Sequence, residues 1–165
     1  MTRPSRLGPF RAATASDAEA LRDLEQAANL AALGHVFDPR EYPFPAAGVL
    51  DRWRAVLEEE GVTVDVAEGP PGLVVFAAHD RTTLRHLAVH PEWWGRGVAS
   101  AAIDRAVTRI RAGGATPRLW CLDANQRAMA LYRRLGWEVS GAQRRAEWPP
   151  YPTEIEMVLR GSNRE

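Results

Sequence analysis

The sequence predicts an α+β, mixed α/β fold built on a largely antiparallel central sheet, and three observations predict it. First, three strand-like runs, Val62–Ala67, Leu73–His79 and Thr82–Val89, follow one another with only EGPPG and Asp80-Arg81 between them. Links this short join antiparallel neighbours. Second, a run of helical period separates Leu84–Val89 from a further strand, Arg118–Leu122. A strand–helix–strand crossover of this kind makes its two strands parallel neighbours. Third, two closing strands, Trp137–Arg145 and Thr153–Leu159, flank a WPPYP loop. No repeat or linker divides the 165 residues, so one domain over 1–165 is expected, with loose tails at 1–6 and 161–165.

Leu7–Thr14 reads as a first strand, weakened by Gly8 and Pro9. Ser16-Asp17-Ala18-Glu19 has the spacing of a capping box and opens a helix to about Leu33, with Leu21, Leu24 and Ala28 on one face and Gly34 to end it. His35–Ala46 holds three prolines, which exclude a regular helix or a central strand. Two readings of this loop stay open: a functional loop, or a connection pinned by Phe37, Tyr42 and Phe44. Gly48–Glu60 returns to helix, its apolar face formed by Val49, Leu50, Trp53, Val56 and Leu57, and Gly61 stops it. After the three strands, a turn over His90–Arg96 leads to a helix from Gly97 to about Ala112, closed by Gly113-Gly114. A last helix covers Asn125–Leu135, with Ala128, Leu131, Tyr132 and Leu135 at i, i+3, i+4 and i+7 and Gly136 at its end.

Composition excludes several classes of function. The 21 arginines balance 21 acidic residues, and no lysine is present. Zero net charge argues against a general electrostatic grip on nucleic acid or on an acidic membrane surface. No apolar run approaches a membrane span, and MTRPSRLGPF lacks the core of a signal peptide, so a cytoplasmic location is the expectation. Cys121 is the only cysteine, which rules out an intrachain disulfide and a Cys-based zinc cluster. The histidines, at 35, 79, 86 and 90, are scattered, and no metal site is expected.

Two segments carry chemistry. Gly95-Arg96-Gly97-Val98-Ala99 links a strand to the start of a helix. Its glycines let backbone approach a ligand, and unpaired helical amides there favour an anion. It is neither a Walker A loop nor a dinucleotide fingerprint. The alanine-rich helix behind it also suits simple close packing on a sheet. The second segment is NQRAMALYRRLGW, Asn125–Trp137, in which Tyr132 ends an apolar stripe. A tyrosine there serves as core, or as a proton donor to a leaving group.

Together these segments resemble the GNAT superfamily of acyl-CoA-dependent N-acetyltransferases. Trp94-Gly95-Arg96-Gly97-Val98-Ala99, after LAVHPE, is similar to the family's [QR]-x-x-G-x-[GA] motif, with Trp94 departing at the first position. Asn125, Ala128, Leu131, Tyr132, Gly136 and Trp137 match a second family pattern, N-x-x-A-x-x-[LF]-Y-x-x-x-G-[FW]. The resemblance implies a three-layer fold: about seven strands, mostly antiparallel, with a splayed parallel pair and four flanking helices. It implies acetyl-CoA as co-substrate. Gly95, Arg96, Gly97, Val98, Ala99 and Ser100 would face its pyrophosphate, Leu87, Ala88 and Val89 would pair with the pantetheine arm, and Asn125 would bond it. Tyr132 would protonate the departing thiolate. The acceptor would be the primary amine of a small molecule or a peptide N-terminus, attacking directly in a ternary complex. By the same analogy, two copies would pair through the closing strands.

The general base is open. Alternation places Thr83, Arg85, Leu87 and Val89 on one face of their strand and Leu84, His86 and Ala88 on the other. His86 then points away from the acyl site, which leaves Asp123, Glu154, Glu156, His79 or a water chain. Arg85 either binds an acceptor carboxylate or forms an ion pair. Arg85, Tyr42 and Asp123 are the candidate acceptor residues, and Tyr42, Phe44, Trp148 and Tyr151 would make the pocket aromatic. Two other functions compete: a domain that senses acyl-CoA without turnover, and a nucleotide-phosphate protein using the same turn.

Overall fold

The computed structural model describes residues 6–70 and 72–161. The expected tails lie outside the described residues, apart from Arg6 and Gly161. In chain order the elements are β1 (Arg11–Ala12), α1 (Ala18–Leu33), α2 (Ala46–Glu58), β2 (Thr63–Gly69), β3 (Gly72–His79), β4 (Thr83–Val89), α3 (Val98–Ala112), β5 (Arg118–Leu122), α4 (Gln126–Arg134), β6 (Glu138–Arg145) and β7 (Thr153–Val158). The strands form a seven-stranded sheet in the order β1-β2-β3-β4-β5-β7-β6. Every neighbouring pair is antiparallel except β4 and β5.

Each face of the sheet buries its own core. On one face Phe76, Ala78, Val64 and Val66 meet Leu21, Leu24, Val49 and Trp53 of α1 and α2. Trp53 is fully buried and packs edge-on against Phe76, with ring centroids 4.8 Å apart. Truncating such an anchor to alanine costs about 3–5 kcal/mol. On the other face Val75, Ala77 and Val89 meet Ala102, Ile103 and Ala106 of α3, together with Met129 and Tyr132 of α4. Ala102 and Ala106 therefore serve close packing. Asp65 of β2 is 1 % exposed and accepts a hydrogen bond from Arg109 of α3 at 2.6 Å. A buried carboxylate needs such a partner, and the pair ties α3 to the sheet.

Several expected boundaries move for identifiable reasons. The first strand shrinks to Arg11–Ala12, although Gly8 still donates to the Glu68 carbonyl (2.7 Å) and Ala13 to that of Val64 (2.8 Å). The Ser16–Glu19 capping box does not form. A box forms two residues earlier instead, with the Asp17 carboxylate accepting from the Thr14 amide at 2.7 Å, and one 3-10 turn precedes α1. The second helix starts at Ala46 rather than Gly48 because the Pro45 carbonyl accepts from the Val49 amide at 2.9 Å. Gly48 sits inside that helix for a different reason. A Cβ there would lie 2.5 Å from the Trp148 ring, so the glycine seats the indole.

The alternation expected for β4 is broken. His79 pairs with Leu84 while Ala78 pairs with His86, so Arg85 is the extra residue of a β-bulge. The bulge turns Leu84 onto the α3 face with Leu87 and Val89, where simple alternation placed it opposite.

Candidate functional site

The bulged strand β4 pairs with β5 only at Thr83–Arg118 and Leu84–Leu119. Beyond Leu84 the two diverge: Leu87–Val89 stays with β3, and Cys121–Leu122 stays with β7. A cavity of about 610 Å³ lies along the open edge, lined by Leu87, Ala88 and Val89, the turn and first helical residues of α3, α4, and Ala28, Asn29 and Ala32 of α1.

One end of this cavity is the turn. Gly95 and Gly97 both adopt left-handed backbone, at φ +76° and +77°, where an L side chain is strained. No atom lies within 4 Å of a Cβ built at either position, so these glycines answer to backbone conformation and to open space. Gly97 caps α3, and the helix's first hydrogen bond runs from Ala101 to the Gly97 carbonyl at 3.1 Å. The amides of Val98, Ala99 and Ser100 precede that bond and have no partner within the helix. Gly95, Gly97, Val98, Ala99 and Ser100 all line the cavity, so the turn has the form of an anion seat.

The aromatic and basic side chains here are arranged differently from the sequence expectation. Arg96 stacks on Trp93, 4.7 Å from the ring centroid, and is not among the lining side chains. Arg127 and Arg134 of α4 do line the cavity, and both were missed. Arg127 lies 4.1 Å from the centroid of the Trp94 ring. The Trp94 indole donates to the Val89 carbonyl at 2.8 Å, so the departure from the family motif holds the end of β4.

The other end is α4. Asn125 caps it, its Oδ1 accepting from the Ala128 amide at 3.2 Å, which leaves its side-chain NH₂ to bond a ligand. Tyr132 lines the cavity, is 7 % exposed and packs edge-on to Trp137. Its hydroxyl makes no hydrogen bond among the described residues. Burial raises its pKa well above the ordinary phenol value, so it is a neutral proton carrier at any ordinary pH. Cys121 is also buried, and burial together with Glu154 and Asp123 pushes its thiol up to about 12. It stays protonated, which makes it a poor nucleophile.

A second cavity, of about 460 Å³, lies beside the first between α1, the 35–46 loop and the β6–β7 connection. Tyr42, Phe44 and Trp148 line it; Tyr151 does not. Asn29 lines both cavities, so the two adjoin at α1.

The remaining candidates sit elsewhere. Arg85 donates to Asp80 at 2.7 Å and to both oxygens of Glu59 at 2.8 and 3.0 Å, and it lines neither cavity. The ion pair is thus the arrangement found, and the acceptor-binding placement is corrected. Asp123, Glu154, Glu156 and His79 line neither cavity. Glu154 accepts from Arg144, Glu156 accepts from Arg118 and Ser140, and His79 is buried against the Asp80 carbonyl. His86 packs on Trp53, with centroids 5.2 Å apart, and burial lowers its pKa to about 3, so it is neutral. His90, four residues on, accepts from the Glu92 amide at 3.2 Å. No group of three or more His, Cys, Asp or Glu side chains among the described residues could hold a metal ion. No helix among them is long and apolar enough to cross a membrane.

The same architecture recurs in solved structures of low sequence identity. The GCN5-related N-acetyltransferase from Rhodopseudomonas palustris matches with a TM-score of 0.78 at 17% identity, covering 98% of this chain and 100% of that one. The ribosomal-protein-S18-alanine N-acetyltransferase from Escherichia coli matches with a TM-score of 0.68 at 22% identity, covering 96% and 98%. The PaiA N-acetyltransferase from Thermoplasma acidophilum, solved in complex with coenzyme A, matches with a TM-score of 0.68 at 13% identity, covering 92% and 98%. Residues 19–137, most of the chain and both sequence motifs, match the family model of the acetyltransferase (GNAT) family, and the chain belongs to that family.

Proposed function

We propose that this chain transfers the acetyl group of acetyl-CoA to a primary amine, by direct attack of the amine within a ternary complex. The observation that carries the reading is the first cavity, which runs from the left-handed turn at Gly95–Gly97 along the open edge of Leu87–Val89 to the Tyr132 phenol. Its parts suit the donor. The Val98–Ser100 amides and the positive end of α3 suit a pyrophosphate, with Arg127 and Arg134 adding charge. The unpaired edge of β4 suits an extended arm of amide groups added as one more strand. Because Trp94 already occupies the Val89 carbonyl, Val89 would contribute its amide. Asn125 would bond the same arm through its NH₂.

Acetyl-CoA supplies an acyl group activated as a thioester. A β4 amide in Leu87–Val89 polarises the carbonyl and holds the oxyanion that develops on attack. Tyr132 donates its proton to the leaving sulfur. The neutral Cys121 thiol supports direct attack over an acetyl-cysteine route.

Tyr132→Phe tests the assignment. It removes one hydroxyl that holds no hydrogen bond among the described residues. We expect turnover to fall about 100-fold, while calorimetry shows CoA affinity unchanged. Full activity of the variant removes the proton-donor role.

A further inference from the structure

The second cavity contains one charged side chain among its lining residues, Glu25 of α1. The rest of its wall is mainly apolar, with Leu30, Phe37, Phe44 and Trp148 beside a series of prolines. Glu25 is 9 % exposed. Its Oε1 accepts from Arg52 of α2, and the neighbouring Trp53 indole also favours the carboxylate form. Glu25 stands four residues before Asn29, so both side chains lie on the same face of α1, one turn apart. Asn29 lines both cavities and marks where they adjoin. A group held at Glu25 is therefore about one helical turn, roughly 5–6 Å, from the junction.

We propose that the second cavity takes the acceptor, that the acceptor is a small primary amine bearing an apolar or aromatic body, and that the Glu25 carboxylate binds its ammonium group and removes its proton. This rests on the acetyl-transfer reading and names the acceptor class for it. Charge and shape select the ligand together. The aromatic and proline walls reward an apolar body and leave a polyhydroxylated or polycationic amine with unpaired groups. The charged groups facing Glu25 are Arg52 from α2 and Glu147 from the β6–β7 connection. Glu25 is the charged group that the cavity wall itself presents, and a carboxylate there suits a cationic acceptor. Burial raises the Glu25 pKa above the ordinary carboxylate value against the pull of Arg52, which strengthens it as a base.

The protons balance as follows. Glu25 takes one proton from R–NH₃⁺ and releases it to solvent. The free amine forms the C–N bond as the C–S bond breaks and the sulfur takes the Tyr132 proton. The second nitrogen proton returns through water to the Tyr132 oxygen. The net products are the N-acetyl amine, CoA thiol and one proton.

The test uses the full chain, with phenethylamine, tryptamine, spermidine and a peptide with an apolar N-terminal residue as acceptors. Calorimetry on the CoA-saturated protein reads amine binding, and thiol release reads turnover against pH. We expect phenethylamine and tryptamine to bind and react with kcat/KM at least about tenfold above spermidine and the peptide, a margin that one or two buried apolar contacts supply. Glu25→Gln keeps the shape of the side chain and an acceptor for Arg52. It should lower kcat/KM about 100-fold and move the acidic limb of the pH profile from the carboxylate to the ammonium of the amine itself, with CoA affinity unchanged. Trp148→Ala, which leaves the Glu25–Arg52 pair in place, should weaken tryptamine binding with CoA affinity unchanged. Preference for spermidine or the peptide overturns the inference and leaves acetyl transfer standing. An unchanged pH profile in Glu25→Gln overturns the base. Absence of transfer to every amine while CoA still binds overturns the acetyl-transfer reading itself.

Discussion

Gly97→Ala separates the two reasons a glycine can be needed at the head of α3. Gly97 adopts φ +77°, and forcing an L residue into left-handed backbone costs about 1–2 kcal/mol. No atom lies within 4 Å of the added Cβ, so the protein contributes no clash of its own. For a chain of this length that cost lowers Tm by about 2–8 °C. The methyl group would enter the cavity beside the Val98–Ser100 amides, where the pyrophosphate is placed. Displacing it from one or two charge-assisted hydrogen bonds costs about 1.5–3 kcal/mol each, or roughly a 10- to 150-fold loss of CoA affinity for one bond and more if both are lost. Gly114 is the matched control. It sits at φ +86°, again with nothing within 4 Å of an added Cβ, and it lies outside both cavities. Thermal melts and calorimetric titration with CoA should give the two alanine variants similar Tm losses, with only Gly97→Ala losing affinity. Equal CoA affinities in the two variants would refute the placement of the pyrophosphate at this turn.

Two further substitutions examine the packing around His86 and Gly48. His86 is held neutral, with burial and the nearby arginines lowering its pKa to about 3 from an ordinary 6.5, so it must take up a proton on unfolding in acid. Its contribution is complete above pH 6.5 and is lost as pH falls toward 3, at about 1.4 kcal/mol per pH unit. Urea midpoints at pH 7 and 4.5 should show the unsubstituted protein losing about 2–3 kcal/mol more than His86→Phe, and equal losses would contradict the buried neutral ring. Gly48→Ala places a Cβ 2.5 Å from the Trp148 ring and moves the indole that walls the second cavity. The acceptor KM should rise while CoA affinity holds; an unchanged KM would remove Trp148 from the acceptor wall.

Local patterns made most elements readable. β5 matches its expected bounds residue for residue, since RLWCL alternates buried and outward positions between clear breakers. The geometry of the turn proposed to hold the donor was readable because its information is contiguous: a strand, two glycines in left-handed backbone, and a helix start. Non-local features were hidden. The bulge at Arg85 is a property of the pairing between β3 and β4, so alternation within one strand could not reveal it. Gly48 read as a helix start because its true partner, Trp148, is a hundred positions away. Glu25 was overlooked because a carboxylate on a helix usually faces water. Yet with Leu21, Leu24 and Ala28 it completes an i, i+3, i+4, i+7 stripe that the structure buries, and a charged residue in such a stripe was the available sign. Its partner Arg52 arrives from the next helix, beyond the reach of any local pattern.

The most direct measurement incubates the purified chain with acetyl-CoA and phenethylamine, then follows both products together: free CoA thiol by colour and the N-acetyl amine by mass. The account predicts that the two appear in equal amounts, at a rate that depends on amine concentration and vanishes without it. Binding of CoA with no acetylated amine formed, or thiol release independent of the amine, would contradict it.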